Sequence, residues 1–131
     1  AIAQAFVESG LSKFIGEQLT VLSELHPLVL IATIALAVTF LTEVTSNTAT
    51  ALLLMPILAP AGLAAGVDPA LLMVPATISA SYGFMMPVGT PPNAIVFGTG
   101  MIPMAHMARE GLALNFIGIA VISTVCYLLV P

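Results

Sequence analysis

The stretch Leu41-Thr42-Glu43-Val44-Thr45-Ser46-Asn47-Thr48-Ala49-Thr50 decides how this chain folds. It is a polar island between two apolar runs. Upstream, Leu28 to Leu41 is broken only by Thr33 and Thr39; downstream, Ala51 to Ala65 carries no charge. A second break, Pro87-Val88-Gly89-Thr90-Pro91-Pro92-Asn93, also lies between apolar stretches. Backbone polar groups cannot stay unpaired in hydrocarbon, so a non-helical stretch at membrane depth must be buried in protein or line a wet cavity. Two such breaks point to one shared site.

Composition supplies the setting. Of 131 residues, 60% are hydrophobic and 6% charged, against roughly 25% charged in an ordinary globular domain. So short a chain has too little polar surface to cover itself in water, and an all-α integral membrane protein is expected. The net charge of -4 comes from few groups, with Lys13 and Arg109 the only lysine and arginine. That excludes a basic patch for nucleic acid and leaves too few charges to orient the chain by the positive-inside rule. Cys126 is the single cysteine, expected as a small packed residue. The methionines share no ligand spacing and are expected to pack. No initiator Met or signal-peptide order opens the chain, and a piece of a longer membrane protein is expected.

The pattern divides the chain into four parts. In residues 1 to 26, Leu11, Phe14, Ile15, Leu19, Leu22 and Leu25 alternate at helical spacing with Ser12, Lys13, Glu17, Gln18, Ser23 and Glu24, which predicts an amphipathic interfacial helix. His26-Pro27 marks a boundary, with Pro27 opening the next helix. The runs on either side of the island fall short of the ~20 residues that cross a bilayer. Residues 27 to 66 therefore read as a re-entrant hairpin with its tip at 42 to 50. Asp68 caps the following helix. Residues 68 to 102 read as a broken transmembrane helix, running to Met86, unwound over 87 to 93 and resuming to about Met101, with Pro75 as a possible kink. In 103 to 131, Pro103 to Glu110 forms an interfacial turn before one full span. Asn115, Ser123 and Thr124 on that span are interhelix hydrogen-bonding residues.

At the island the first half-helix brings the negative end of its dipole and loose carbonyls, and the second brings free N–H groups from about Asn47 onward. Carbonyl, hydroxyl and amide oxygens suit a small hard cation, and N–H groups at a helix start suit an anion. Opposed helix ends at mid-membrane belong to ion-coupled secondary transporters. The rival reading is a non-transporting membrane subunit whose breaks only permit close packing. Catalysis needs an acid/base or metal constellation, and Glu43 is the sole acid of the interior, so an enzyme is not expected.

The wording of the motifs is more specific. Leu41 to Thr50, with its Ser-Asn-Thr tripeptide, followed by Met86-Pro87-Val88-Gly89-Thr90-Pro91-Pro92-Asn93-Ala94-Ile95-Val96-Phe97-Gly98, closely resembles the C-terminal half of the divalent anion/sodium symporter family. The resemblance runs from about Ser9 to the end. It implies one inverted-repeat half of an elevator-type carrier in the plasma (inner) membrane, a homodimer as the full-length protein, that takes C4-dicarboxylates such as succinate, or citrate or sulphate, with Na⁺. It also implies that the rest of the protein carries the first Ser-Asn-Thr copy, and that this half does not transport unaided. By resemblance, Ser46, Asn47 and Thr48 contact the dianionic substrate, aided by Thr90 and Pro91. Thr42, Thr45, Asn47 and Gly89 hold Na⁺, with Thr42, Thr45 and Gly89 contributing mainly backbone carbonyls. Gly89 stands where many relatives have Ala. Sodium coupling needs no proton carrier, so Glu43 is expected to accept hydrogen bonds from the tip backbone and nearby hydroxyls.

Overall fold

In the computed structural model, residues 8–10, 14, 17, 18, 21 and 26–130 are described. Most of the amphipathic arm expected over residues 1 to 26 lies outside them. The described residues hold five α-helices: α1 (Pro27–Val44), α2 (Asn47–Ala64), α3 (Ala70–Ser79), α4 (Pro91–Gly98) and α5 (Met104–Leu129).

Helix α1 opens at Pro27, where a missing N–H costs no hydrogen bond, and the His26 ring accepts from the Leu28 N–H at 3.4 Å. It does not stop at Leu41 but continues through Thr42, Glu43 and Val44, because the buried Thr42 and Glu43 find partners on the chain between α3 and α4. The expected nine-residue tip shrinks to the extended pair Thr45-Ser46, and Asn47 already starts α2. Each of α1 and α2 is then 18 residues long, about 27 Å at 1.5 Å per residue.

Gly66, with φ +70, turns the chain after α2, and Asp68 Oδ1 accepts the Ala70 N–H at 2.8 Å at the start of α3. That helix ends at Ser79, seven residues before the expected Met86. The break runs from Ala80 to Thr90 rather than over 87 to 93. The cause is tertiary: the N–H groups of Phe84, Met85 and Met86 turn away from a helix ladder toward the Glu43 carboxylate. The turn expected over Pro103 to Glu110 is mostly helix, since α5 begins at Met104; its seven residues are unbranched at Cβ and favour helix.

Two apolar seams place α1 at the centre. Leu30, Ile34 and Val38 pack with Leu58 and Ala61 of α2, with Leu72 and Ala76 of α3 and with Ala80 just past its end. Ile31 and Ala35, one helical position round, pack with Ile119, Ile122 and Cys126 of α5. Helix α2 leans on α3 more than on α1. Large apolar side chains also point outward, among them Leu52, Ile95 and Leu128, and α1, α2 and α5 are each long and apolar enough to cross a membrane.

The last helix presses backbone against backbone on the break. A Cβ added at Gly111 would overlap the Phe84 carbonyl and come within 2.6 Å of the Met85 Cα. At Gly118 it would come within 2.5 Å of the Tyr82 ring. Overpacking against backbone costs about 1–3 kcal/mol. Gly111→Ala is therefore expected to lower the thermal unfolding midpoint of the detergent-solubilised protein. Gly98→Ala, whose Cβ meets nothing within 4 Å, is expected to leave it unchanged; equal effects would contradict this packing.

Candidate functional site

Glu43, in the last turn of α1, is 3% exposed. Its Oε1 accepts the N–H groups of Phe84 at 2.8 Å and Met85 at 2.9 Å and the Asn115 amide at 2.6 Å; its Oε2 accepts the Met86 N–H at 2.9 Å. All these partners are neutral N–H groups. The hydrogen bonds expected from the tip come instead from the second break and the last span. One side chain thus ties α1 and α5 to the loop between α3 and α4. A buried carboxylate is tolerated only when well solvated by donors, and four supply that here.

The same loop is closed from its far end. The Asn93 amide donates to the carbonyls of Gly83 at 2.8 Å and Met86 at 3.1 Å. Gly89 is buried, and a Cβ there would sit 3.2 Å from Glu43 Oε2. The loop carbonyl at Gly89 is thereby carried to the hairpin turn.

Around Asn47 the two breaks meet. The Thr42 hydroxyl donates to the Ala80 carbonyl at 2.7 Å and lies 2.7 Å from Asn47 Oδ1. The Asn47 amide is satisfied with its nitrogen turned inward. With nitrogen inward it donates to the carbonyls of Gly89 and Ala80, both at 3.0 Å, and to Thr42 Oγ1 at 2.7 Å. Turned over so that its oxygen points inward, it would set four oxygens face to face with the single Thr42 proton among them, since a hydroxyl has only one to give. Such an oxygen cluster lacks donors and is the chemistry a hard cation satisfies.

Of the residues expected to hold the cation, the structure gathers Asn47, Gly89 and Thr42, the last by its hydroxyl. Thr45 is not hydrogen-bonded to this cluster: its hydroxyl bonds the Leu41 carbonyl at 2.8 Å and the Thr50 hydroxyl. The Ala80 carbonyl joins the group instead, and no local signal in the sequence marks it.

Beside the cluster lies an open pocket of about 480 Å³, with Ser46, Asn47 and Thr48 on one side and Gly89, Thr90 and Pro91 on the other. All five residues expected to contact a substrate line it. Two helices begin there, α2 at Asn47 and α4 at Pro91. Neither Ser46 nor Thr90 spends its hydroxyl on a cap, and both residues line the space with Asn47 and Thr48 of the first turn of α2. Helix starts carry partial positive charge, which favours an anion. The sequence carries no local signal for Asn93 or Gly111, whose effects depend on where the loop lies.

Comparison with known proteins identifies a family. The family model described as the sodium:sulfate symporter transmembrane region matches residues 1–129. The chain is 52% identical over all 131 residues to the sodium-dependent dicarboxylate transporter SdcS of Staphylococcus saprophyticus, covering 25% of that protein. It is 49% identical over 131 residues to the SdcS of Staphylococcus aureus strain MRSA252, again covering 25%. The chain therefore spans about a quarter of the length of the curated relatives it matches.

Removing the Glu43 side chain orphans several buried donors at once, whereas removing Asn115 leaves the carboxylate three of its four. Glu43→Ala is expected to destabilise the protein by about 3 kcal/mol or more, each donor left unsatisfied costing about 1–3 kcal/mol, and Asn115→Ala by only about 1 kcal/mol. Chemical denaturation of the two variants checks this, and a reversed order would contradict it.

Proposed function

The chain belongs to the sodium:sulfate symporter family, and from that membership we propose that it forms one repeat of a sodium-coupled secondary carrier of divalent anions, C4-dicarboxylates such as succinate foremost. The dicarboxylate choice rests on the names of its relatives. In this reading α1 and α2 are a re-entrant hairpin, α3 and α4 a broken spanning helix and α5 a full span. A second Ser-Asn-Thr repeat elsewhere in the whole protein completes the anion site, the protein works as a homodimer in the plasma membrane, and hairpin and broken helix move together as an elevator.

The observation that carries the reading is the double membership of Asn47, which belongs both to the oxygen cluster and to the anion-favouring pocket. Co-transported sodium is held by Asn47 Oδ1, the carbonyls of Gly89 and Ala80 and the Thr42 hydroxyl. When the amide oxygen serves the cation, the amide nitrogen of Asn47 faces the other way and is free to donate to a substrate carboxylate. Ser46, Thr48 and Thr90 add hydroxyls, Pro91 shapes the wall, and the start of α2 adds N–H groups. The cation therefore sets the amide that the anion needs, and sodium binds first. Thr45 adds a backbone carbonyl at the edge of the cation site.

The test is uptake of labelled succinate, citrate and sulphate by the full-length protein in liposomes, with sodium or potassium outside. Sodium-dependent succinate uptake is expected, and uptake indifferent to sodium would overturn the reading. Asn47→Asp keeps an oxygen for the cation but replaces the N–H donor with a like charge. A hydrogen bond to a charged group is worth about 1.5–3 kcal/mol, so succinate affinity should fall roughly tenfold to a hundredfold while sodium still binds. Unchanged succinate affinity would contradict the role given to the amide.

A further inference from the structure

A second cavity also touches Asn47. It has a volume of about 310 Å³ and lies between the start of α2 and the end of α3, with Thr48, Thr77, Ala80 and Ser81 among its walls. It shares Asn47 and Thr48 with the larger pocket, but none of the walls from the Gly89 side. Asn47 and Ala80 also belong to the cluster, where the Ala80 carbonyl accepts from the Asn47 amide. The cluster is thus flanked by two spaces of different chemistry.

The larger space is bounded by two helix starts, α2 and α4. Their positive ends attract an anion and oppose a cation passing through. Once a dianion sits there, it also blocks the way physically. The smaller space has the C-terminal end of α3 as one wall, where the dipole is negative. Thr77 donates its proton to the Met73 carbonyl at 2.7 Å, which leaves its oxygen lone pairs available. Ser81 is exposed, and Ala80 behind it is buried with its carbonyl turned to Thr42 and Asn47. Hydroxyl oxygens at the mouth followed by a carbonyl and an amide oxygen at the back can replace the water shell of a small cation one ligand at a time.

We propose that this α2–α3 cavity is the port through which the coupling cation reaches the Asn47–Ala80 oxygens, separate from the pocket that admits the anion. The proposal rests on the sodium-coupled reading above. It adds that the two cargoes approach Asn47 through different spaces, so that a bound dianion does not seal the cation's path. Ser81 and Thr77 are gate-lining residues here and belong to no other part of the site.

The test uses the full-length protein, cleared of accessible cysteines, with Ser81→Cys and a bulky uncharged methanethiosulfonate reagent. A sodium concentration jump on proteoliposomes adsorbed to a solid-supported electrode reads the transient of cation binding. Labelling is expected to slow that transient about tenfold while leaving its sodium midpoint unchanged, because a narrowed port slows arrival and departure alike, and a tenfold rate change corresponds to a modest barrier. Reductant removes the label and should restore the rate, which separates obstruction from misfolding. Thr77→Val is expected to slow the transient without changing succinate affinity at saturating sodium. An unchanged transient in the labelled protein overturns the port while leaving the carrier reading intact. Absence of any sodium transient in the unlabelled protein overturns both, and a shifted midpoint without slowing overturns the port in favour of a site effect.

Discussion

A single buried carboxylate holds this structure to its function. Glu43 draws three consecutive backbone N–H groups, those of Phe84, Met85 and Met86, out of what would be the continuation of α3, and takes a fourth donor from Asn115 of the last helix. Apart from the Thr42 hydroxyl on the Ala80 carbonyl, helix α1 meets the interrupted helix through an apolar seam, which can slide. Hydrogen bonds to an ion are directional and costly to leave unmade in a low-dielectric interior. They fix the register between hairpin turn and loop. The small residues of α5 make this possible: with Gly111 against the Phe84 and Met85 backbone, the helix comes near enough for Asn115 to reach the carboxylate.

Everything at the candidate site follows from that register. Thr42 precedes Glu43 in sequence, so anchoring one brings the other to the Ala80 carbonyl. The loop then delivers Gly89 to Asn47, and Asn93 pins the loop's far end. The result is an amide with oxygens on one side and helix starts on the other. Asn47 can meet both demands because an amide carries an acceptor and donors at opposite corners. A carboxylate or a hydroxyl in its place lacks that two-sidedness. The coupling proposed between cation and anion needs no moving domain at this level, only one side chain whose setting both cargoes read.

Much of this was legible in the sequence because membrane depth makes polarity conspicuous. The island at Thr42 to Thr50 and the proline-rich break stand out from apolar surroundings, and Pro27 and Asp68 announce helix starts. All five residues expected to contact substrate line one pocket. The illegible parts depend on tertiary contacts. Ala80 to Met86 reads as more helix, since Gly83 is its only weak former, and nothing local tells that Glu43 will claim its N–H groups. Thr42 and Glu43 read as loop because they are polar, although burial with partners lets the helix continue through them. The Ala80 carbonyl is a backbone group, so residue type carries no trace of it. The role of Gly111 is equally hidden, for its meaning lies in what its missing Cβ allows.

The account stands on the Glu43 hydrogen bonds to the break, and amide hydrogen exchange reads them directly. In the full-length protein, the N–H groups of Phe84, Met85 and Met86 should exchange as slowly as those within α1, although they lie in no helix, because each is hydrogen-bonded to the Glu43 carboxylate. Exchange at these three positions as fast as at Gly100 and Met101, in the exposed turn after α4, would mean that the carboxylate does not hold the loop, and that the two breaks do not form one site.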